Sequence, residues 1–317
     1  AERCWPCRNW WALPGRTCGD WPRGRWGGSR GSSSPLRRNT LMTSPDTISR
    51  YLYLGGIKTS RKVRLREGLE LMPASPSPAL GDTFYKVSNI TDLGILCLYL
   101  PMVSSQLFLT RKNQKDLAIL TWNCAWDMLL IGALFQYDPI LNMQGELEVE
   151  QIKCVTEIKV TNYHLQALPR NAINPLSEND ISWIEEHHST ANKLLSHSNK
   201  FSTAVHCLST YLWHTHPRAR LSLIWSGIES LFGVDSEISY RISLYVSHFL
   251  HPDCQASRID TFETTKKLYN SRSKAVHGCE ITPKVRASIE NSAQLLRSLL
   301  FKCIETNSIP DPKRLAI

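Results

Sequence analysis

The apolar run "LAILTWNCAWDMLLIGALF" at residues 117–135 constrains the fold most, because it is about as long as a helix that spans a bilayer. Asp127 lies at its middle, and Asn123 lies one turn earlier. A charged side chain at the bilayer centre costs about 2.5–3.5 kcal/mol on insertion scales. We therefore predict a buried helix of a soluble domain, without stable membrane insertion. A membrane-anchored sensor is the alternative, and it depends on this run alone.

The first 41 residues differ in composition from the rest of the chain. Residues 1–41 contain eight Arg, no Lys and two acidic residues, so they carry +6 of the net charge of +9. They also hold five of the ten Trp, among Gly, Pro and Ser, without an apolar period of 2 or 3.6. We predict a disordered or mistranslated basic arm at 1–41, with Met42 as a natural start. The alternative is an arm that stacks its Trp and Arg side chains on single-stranded nucleic acid.

Neither the charge beyond this arm nor the spacing of Cys and His in the whole sequence indicates a particular partner or a metal site. Beyond that arm, 29 of the 37 basic residues and 26 of the 28 acidic residues remain, so the net charge identifies no partner. Cys4 and Cys7 form one C-x-x-C without a full set of four ligands. The clusters "EEHH" (185–188) and "WHTH" (213–216) lack zinc-protease spacing and are better interpreted as helix-end histidines. We predict no metal, no cofactor, and buried reduced thiols in a cytoplasmic protein.

Residues 42–175 show the mixed pattern of an α+β domain. Short apolar stretches such as "YLYLGG", "GILCLYL" and "SQLFLT" are separated by Gly, Pro and Ser, which is typical of strands. One helix follows near 115–136. Apolar and polar residues then alternate across 145–168, with several β-branched types, and this predicts one or two further strands.

From residue 177 onward the apolar spacing becomes helical. Ser177 and Asp180 form a capping-box pattern ahead of the first helix. In "RARLSLIWSGIESLFG" apolar residues recur every three or four positions until Gly233 ends the pattern. Pro283 stands in the first turn of the last long helix. We predict that 177–317 is a bundle of five or six antiparallel helices, so that the chain is mostly helical overall.

The stretch "YNSRSKAVHG" at 269–278 holds the best candidates for chemistry. Arg272 and His277 lie five residues apart, which is about 140° of rotation on a helix, so both can line one broad cleft. An Arg side chain binds phosphate oxygens through two hydrogen bonds, and a His near a helix end can act as a general acid or base near neutral pH. When the ligand is RNA, a general base beside the 2′-OH allows the RNA strand to be cleaved by its own 2′-oxygen without a metal. The same spacing also fits a surface Arg and a helix-capping His, which is the structural alternative.

The surroundings of this pair resemble the Apea-like branch of the HEPN superfamily. Three blocks occur in the family's order, similar to "L-W-x-x-x-E-x-L-F", "E-x-S-Y-R" and "K-x-L-Y-x-x-R-S-x-x-V-H-G". The matching residues are Trp225, Glu229, Leu231 and Phe232; Glu237, Ser239, Tyr240 and Arg241; and Lys267, Leu268, Tyr269, Arg272, Ser273, Val276, His277 and Gly278. The resemblance covers roughly residues 190–305 and implies an all-α HEPN helical bundle.

The resemblance implies a metal-independent endoribonuclease that acts as a homodimer with one composite cleft at its interface. His277 is then the general base or acid at the 2′-OH, and Arg272 binds the scissile phosphate, so that the products carry 2′,3′-cyclic phosphate ends. Ser273 departs from the Asn or other amide-like or acidic residue of many active members, but it can still hydrogen-bond phosphate. Many relatives serve bacterial anti-phage defence or toxin systems, which implies a phage or antitoxin trigger at the N-terminal domain. Others are non-catalytic and bind RNA, nucleotides or a partner protein.

Three further residues have both a functional and a structural interpretation. Glu229 either orients Arg272 or His277 across the bundle or forms a structural Glu–Arg pair, for which Arg241 is another candidate partner. Tyr269 lies one turn before Arg272 and could stack on a base, although core packing is favoured. For Arg241 we likewise place a structural role ahead of a functional one.

Overall fold

The computed structural model describes residues 47–74, 89–152, 158–160, 174–234, 237–278, 280 and 282–315. Within these residues the protein is mostly helical, with an antiparallel sheet towards the N-terminal end followed by helices. This confirms the predicted order of a mixed α/β part and then a helical part. The arm predicted at 1–41 and Met42 lie outside the described residues, as do residues 153–157 and 161–168 of the predicted strand region.

Six strands form one sheet in the order β2-β3-β4-β1-β5-β6, and every neighbouring pair is antiparallel. Successive side chains of a strand point to opposite faces. Tyr51 and Tyr53 therefore face one core, and Leu52 and Leu54 face the other. Because both faces are covered, the buried residues 51–54 of β1 are apolar without interruption. The strands are β1 (Ile48–Gly55), β2 (Val63–Arg66), β3 (Leu69–Pro73), β4 (Val103–Arg111), β5 (Ile140–Gly145) and β6 (Lys159–Val160).

One apolar stretch that we expected among the strands is helical. "GILCLYL" lies mostly in α1 (Ile90–Tyr99), which begins where the side chain of Asn89 accepts a hydrogen bond from the N–H of Thr91 at 2.9 Å. Its buried residues, Ile95, Leu96 and Tyr99, recur at helical rather than strand spacing. They pack beside Tyr51 and Tyr53 on one face of the sheet. The cap and this spacing outweigh the strand-like composition.

The apolar run at 117–135 forms α2 (Gln114–Phe135), as predicted. By length and composition α2 could cross a membrane, yet 56% of its most apolar window is buried inside the protein. Leu117 and Leu120 pack against the sheet, whereas Leu130 and Leu134 pack into the helical bundle. A helix that lies between two cores is apolar on most of its sides. This position accounts for the apolar run, because α2 is a core helix.

Six long helices follow in the described part of the chain, and their ends lie close to the predicted ones. The capping box is confirmed, because Ser177 accepts from the N–H of Asp180 and the Asp180 carboxylate accepts from the N–H of Ser177. Gly233 ends the third of them at φ +62°. The helices are α3 (Glu178–His197), α4 (Asn199–Thr210), α5 (Pro217–Phe232), α6 (Ile238–Leu250), α7 (Gln255–Val276) and α8 (Pro283–Glu305), followed by the short α9 (Pro312–Leu315).

Candidate functional site

The candidate site lies where α5 packs against α7. Trp225 of α5 is fully buried, and its Nε1–H donates to Oγ of Ser292 on α8 at 3.1 Å. Tyr269 of α7 meets Trp225 edge-on, with 5.2 Å between the ring centroids. This aromatic contact anchors the middle of α7 and places the residues of its last two turns. Core packing, which we favoured for Tyr269, is what these contacts show.

Arg272 is held between an aromatic ring and a carboxylate. Its guanidinium lies 5.6 Å from the ring centroid of Tyr269, and its Nη2 lies 3.3 Å from Oε1 of Glu229. The side chains of Arg272 and Glu229 are 23% and 26% exposed. Nε of Arg272 and Oε1 of Glu229 are buried without an aligned hydrogen bond in the described part of the protein. The contact is therefore an ion pair with incomplete hydrogen bonding, rather than a bidentate fork.

The environment of Glu229 disfavours its charged form. Burial raises the pKa of this carboxyl above its ordinary value, and the positive charge of Arg272 opposes the rise only in part. The alternative partner that we considered, Arg241, lies elsewhere. Its Nε is 3.5 Å from Oε2 of Glu237 one turn earlier on the same surface. The structure thus brings Glu229, Tyr269 and Arg272 together and leaves Arg241 in a separate surface pair.

His277 lies at the exit of α7 and is exposed. Its backbone N–H donates to the carbonyl of Ser273 at 3.1 Å, and Gly278 then takes φ +95°, a conformation that favours glycine. Nη2 of Arg218, at the start of α5, donates to the carbonyl of Gly278 at 3.2 Å. The end of α7 therefore lies beside the beginning of α5, and the imidazole of His277 is accessible from solvent there.

Arg272 and His277 lie on different sides of α7. The guanidinium of Arg272 contacts Tyr269, one turn before it, and Glu229 of α5. His277 follows more than one turn later and about 140° around the helix, on the same side as Ser273. Within one chain the helix end therefore presents the imidazole and Ser273 together, while Arg272 faces the neighbouring helix.

A second buried polar cluster was missed at the sequence level. Asp127 of α2 is fully buried, with Oδ2 2.8 Å from Nη2 of Arg66 and Oδ1 3.0 Å from the amide nitrogen of Asn192, which donates. Nε2 of His188 lies 3.1 Å from Oδ1 of Asp127, although without hydrogen-bond alignment. Nδ1–H of His188 donates to the carbonyl of Leu65 at 2.9 Å. The cluster joins β2, α2 and α3, and therefore the sheet to the bundle.

The protonation state of Asp127 follows from these contacts. Burial by itself would raise the pKa of Asp127, but the close contacts with His188 and Arg66 hold that pKa below its ordinary value. The sequence signal for this cluster was the single acidic residue of the apolar run. Our interpretation of "EEHH" as helix-end histidines is wrong, because His188 lies in the middle of α3. The sequence carried no signal that Arg66 was the partner. Among the described residues no group of three or more His, Cys, Asp or Glu could hold a metal ion.

Comparisons of the chain with models of known protein families, with characterised proteins and with solved structures give no match.

Proposed function

We propose that the chain is a metal-independent endoribonuclease of the HEPN type, with an Apea-like bundle, acting on RNA in a bacterial anti-phage or toxin-like response. The observation that carries the proposal is the solvent-exposed His277 at the exit of a helix whose last turns also carry Arg272 and Ser273. The proposed protein is cytoplasmic, needs no cofactor and receives its trigger, a phage component or an antitoxin, through the N-terminal sheet.

The proposed reaction is an internal transesterification of RNA. His277 takes the proton of the 2′-OH, the 2′-oxygen attacks the adjacent phosphorus, and the bond to the 5′-oxygen breaks. That oxygen takes a proton from solvent and His277 later returns its proton to solvent, so the products carry a 2′,3′-cyclic phosphate and a 5′-OH. Arg272 stabilises the negative charge on the non-bridging oxygens, and the hydroxyl of Ser273 donates a hydrogen bond to the same phosphate.

The placement of Arg272 and His277 on different sides of α7 supports a composite site in a homodimer. A guanidinium that faces α5 cannot serve the imidazole of its own helix end without changing rotamer. A second copy can bring its own basic and polar side chains beside His277. For Arg272 to bind the phosphate in such a cleft, its guanidinium must exchange its contact with Glu229 for the RNA.

A non-catalytic HEPN module that binds RNA, a nucleotide or a partner protein is the second candidate. The contacts of Arg272 favour it, because Glu229 and Tyr269 already occupy the guanidinium. In that case Arg272 stabilises the packing of α5 against α7, and His277 has only the structural role of ending α7.

Cleavage assays with matched variants distinguish the two candidates. The protein is incubated with structured and unstructured RNA in EDTA, and the product ends are analysed for cyclic phosphate. We expect His277→Ala and Arg272→Ala to lose cleavage by about 100-fold or more. His197→Ala is the matched control, because His197 is also an exposed histidine at the end of a helix. His197 lies near Lys200, whose carbonyl accepts a hydrogen bond from Ser230 at the end of α5, whereas His277 lies beside the start of α5.

Two outcomes would contradict the proposed catalytic mechanism. Cleavage that survives in His277→Ala would mean that the imidazole is not the base. Absence of cleavage by a folded dimer, combined with RNA binding that neither substitution changes, would favour the non-catalytic module. Sedimentation of the same preparations tests whether the homodimer forms.

A further inference from the structure

The outer face of α7 carries a continuous row of side chains that leads to His277. The members recur every three or four residues and lie within about 80° of one another around the helix axis. They are mostly exposed, and Ile259 is 60% exposed. The row consists of Ile259, Phe262, Lys266, Asn270, Ser273 and His277. The row runs beside Tyr269, which contacts α5, and Arg272, which meets Glu229, lies about 80–160° from its members around the helix axis.

An aromatic surface lies at the other end of this row. Tyr240 of α6 is 55% exposed, and its ring meets that of Phe262 at 74°, with 5.7 Å between the centroids. Nζ of Lys266 lies 5.7 Å above the ring centroid of Phe262. An exposed ring beside a cation presents both a stacking surface and a positive charge. This combination binds unpaired bases and their phosphates in single-strand binding proteins.

Beside the aromatic pair, α6 and α7 line an open, shallow groove of about 330 Å³. Its lining is apolar with a few polar groups, and includes Leu244, His248, Gln255, Arg258, Ile259 and Phe262. The volume falls in the lower part of the range for small-molecule sites. A base with its sugar is a ligand of this size.

The charges along the row complement a phosphate backbone. Arg258, Lys266 and Lys274 are in no ion pair within the described ranges, so their charges are available to a ligand. The exposed acids Asp260 and Glu263 of the same helix offset part of this charge and leave an excess of one positive charge over these five residues. The distance along the helix from Phe262 to His277 is about 22 Å, long enough for several nucleotides.

We propose that the α6–α7 face binds single-stranded RNA, with one base stacked on Tyr240 and Phe262 and the backbone following Lys266 towards His277. The proposal rests on the proposed function for the identity of the ligand, and it adds the surface that selects an unpaired strand. RNA is favoured over a second protein chain because Arg258 and Lys266 lie beside the aromatic pair in no ion pair within the described ranges, which suits a phosphate backbone.

Fluorescence anisotropy of the full chain with a 2′-O-methyl single-stranded RNA oligonucleotide tests the proposal, since this RNA cannot be cleaved through its 2′-oxygen. We expect Tyr240→Ala to weaken binding about 5- to 100-fold, because stacking contributes about 1–3 kcal/mol per base. Lys266→Gln should reduce the salt dependence of log Kd by about one contact. Trp122→Ala is the matched control, since Trp122 is 55% exposed on α2 and lies outside the row, and its affinity should not change.

The outcomes separate this site from the catalytic proposal. Wild-type affinity in Tyr240→Ala, or no RNA binding by the folded protein, would overturn the site. Loss of the dimer in Tyr240→Ala with unchanged RNA affinity would overturn it too, and would assign the face to a protein interface. Binding that depends on Tyr240 and Lys266 in a protein that never cleaves RNA would remove the catalytic proposal and leave the binding site intact.

Discussion

Replacing Asp127 by Ala should destabilise the protein more than any surface charge change. Asp127 is fully buried, and its substitution leaves Arg66, with a side chain only 17% exposed, and buried His188 without their shared anion. Loss of a single neutral hydrogen bond costs only about 0.5–1.5 kcal/mol. A buried ion pair broken on one side costs about 3–5 kcal/mol, because the remaining charge stays desolvated. The larger range applies here because a charged partner is left behind.

Urea unfolding and thermal unfolding, both followed by circular dichroism, measure this effect. A loss of about 3–5 kcal/mol corresponds to a decrease in Tm of about 6–20 °C for a fold of this size. Asp116→Asn is the control: it removes the same charge from an exposed position in the first turn of the same helix and should cost less than about 1 kcal/mol. A destabilisation of Asp127→Ala no larger than that of Asp116→Asn would refute the reasoning.

The pH dependence gives an independent check on the same cluster. The pKa of Asp127 is lowered by folding, so its contribution to stability is present above the ordinary carboxyl pKa and is lost as the pH falls through the lowered value. Wild type should therefore lose more stability than Asp127→Asn between about pH 5 and pH 2. Parallel acid-unfolding curves for the two proteins would contradict this assignment.

Two smaller changes test the neighbouring elements. Because burial raises the pKa of Glu229, its contribution to stability is largest at acid pH and declines as the pH rises through the raised value. The urea midpoint of Glu229→Gln should therefore change less than that of wild type between about pH 4 and pH 7. A variant that is less stable than wild type across this range would instead show that the Arg272 pair stabilises the fold. Gly233→Ala should lower the free energy of unfolding by about 1 kcal/mol, because φ is +62° at this position. Gly94→Ala in α1 should be neutral or stabilising in the same thermal unfolding experiment, because nothing lies within 4 Å of the added methyl group. Equal effects of the two glycine changes would show that backbone conformation does not decide them.

The helices of the C-terminal part could be predicted because their signals are local. The Ser177–Asp180 cap, the stop at Gly233 and Pro283 in a first turn each depend on residues within about one turn of one another. α1 shows the limit of this approach, since a short apolar stretch fits a strand or a helix. There the cap at Asn89 and packing on the sheet decided the outcome.

The sequence by itself determined that α2 is helical and that an acid lies in its middle, and this correctly predicted a core helix. It also determined the residue spacing that puts Arg272 and His277 about 140° apart. Only the tertiary structure decided the partners of these groups. Asp127 meets Arg66 and His188, and Arg272 meets Glu229, across long stretches of chain. Helical period and capping are properties of neighbouring residues, whereas the pairing of buried charges depends on which faces of distant elements pack together.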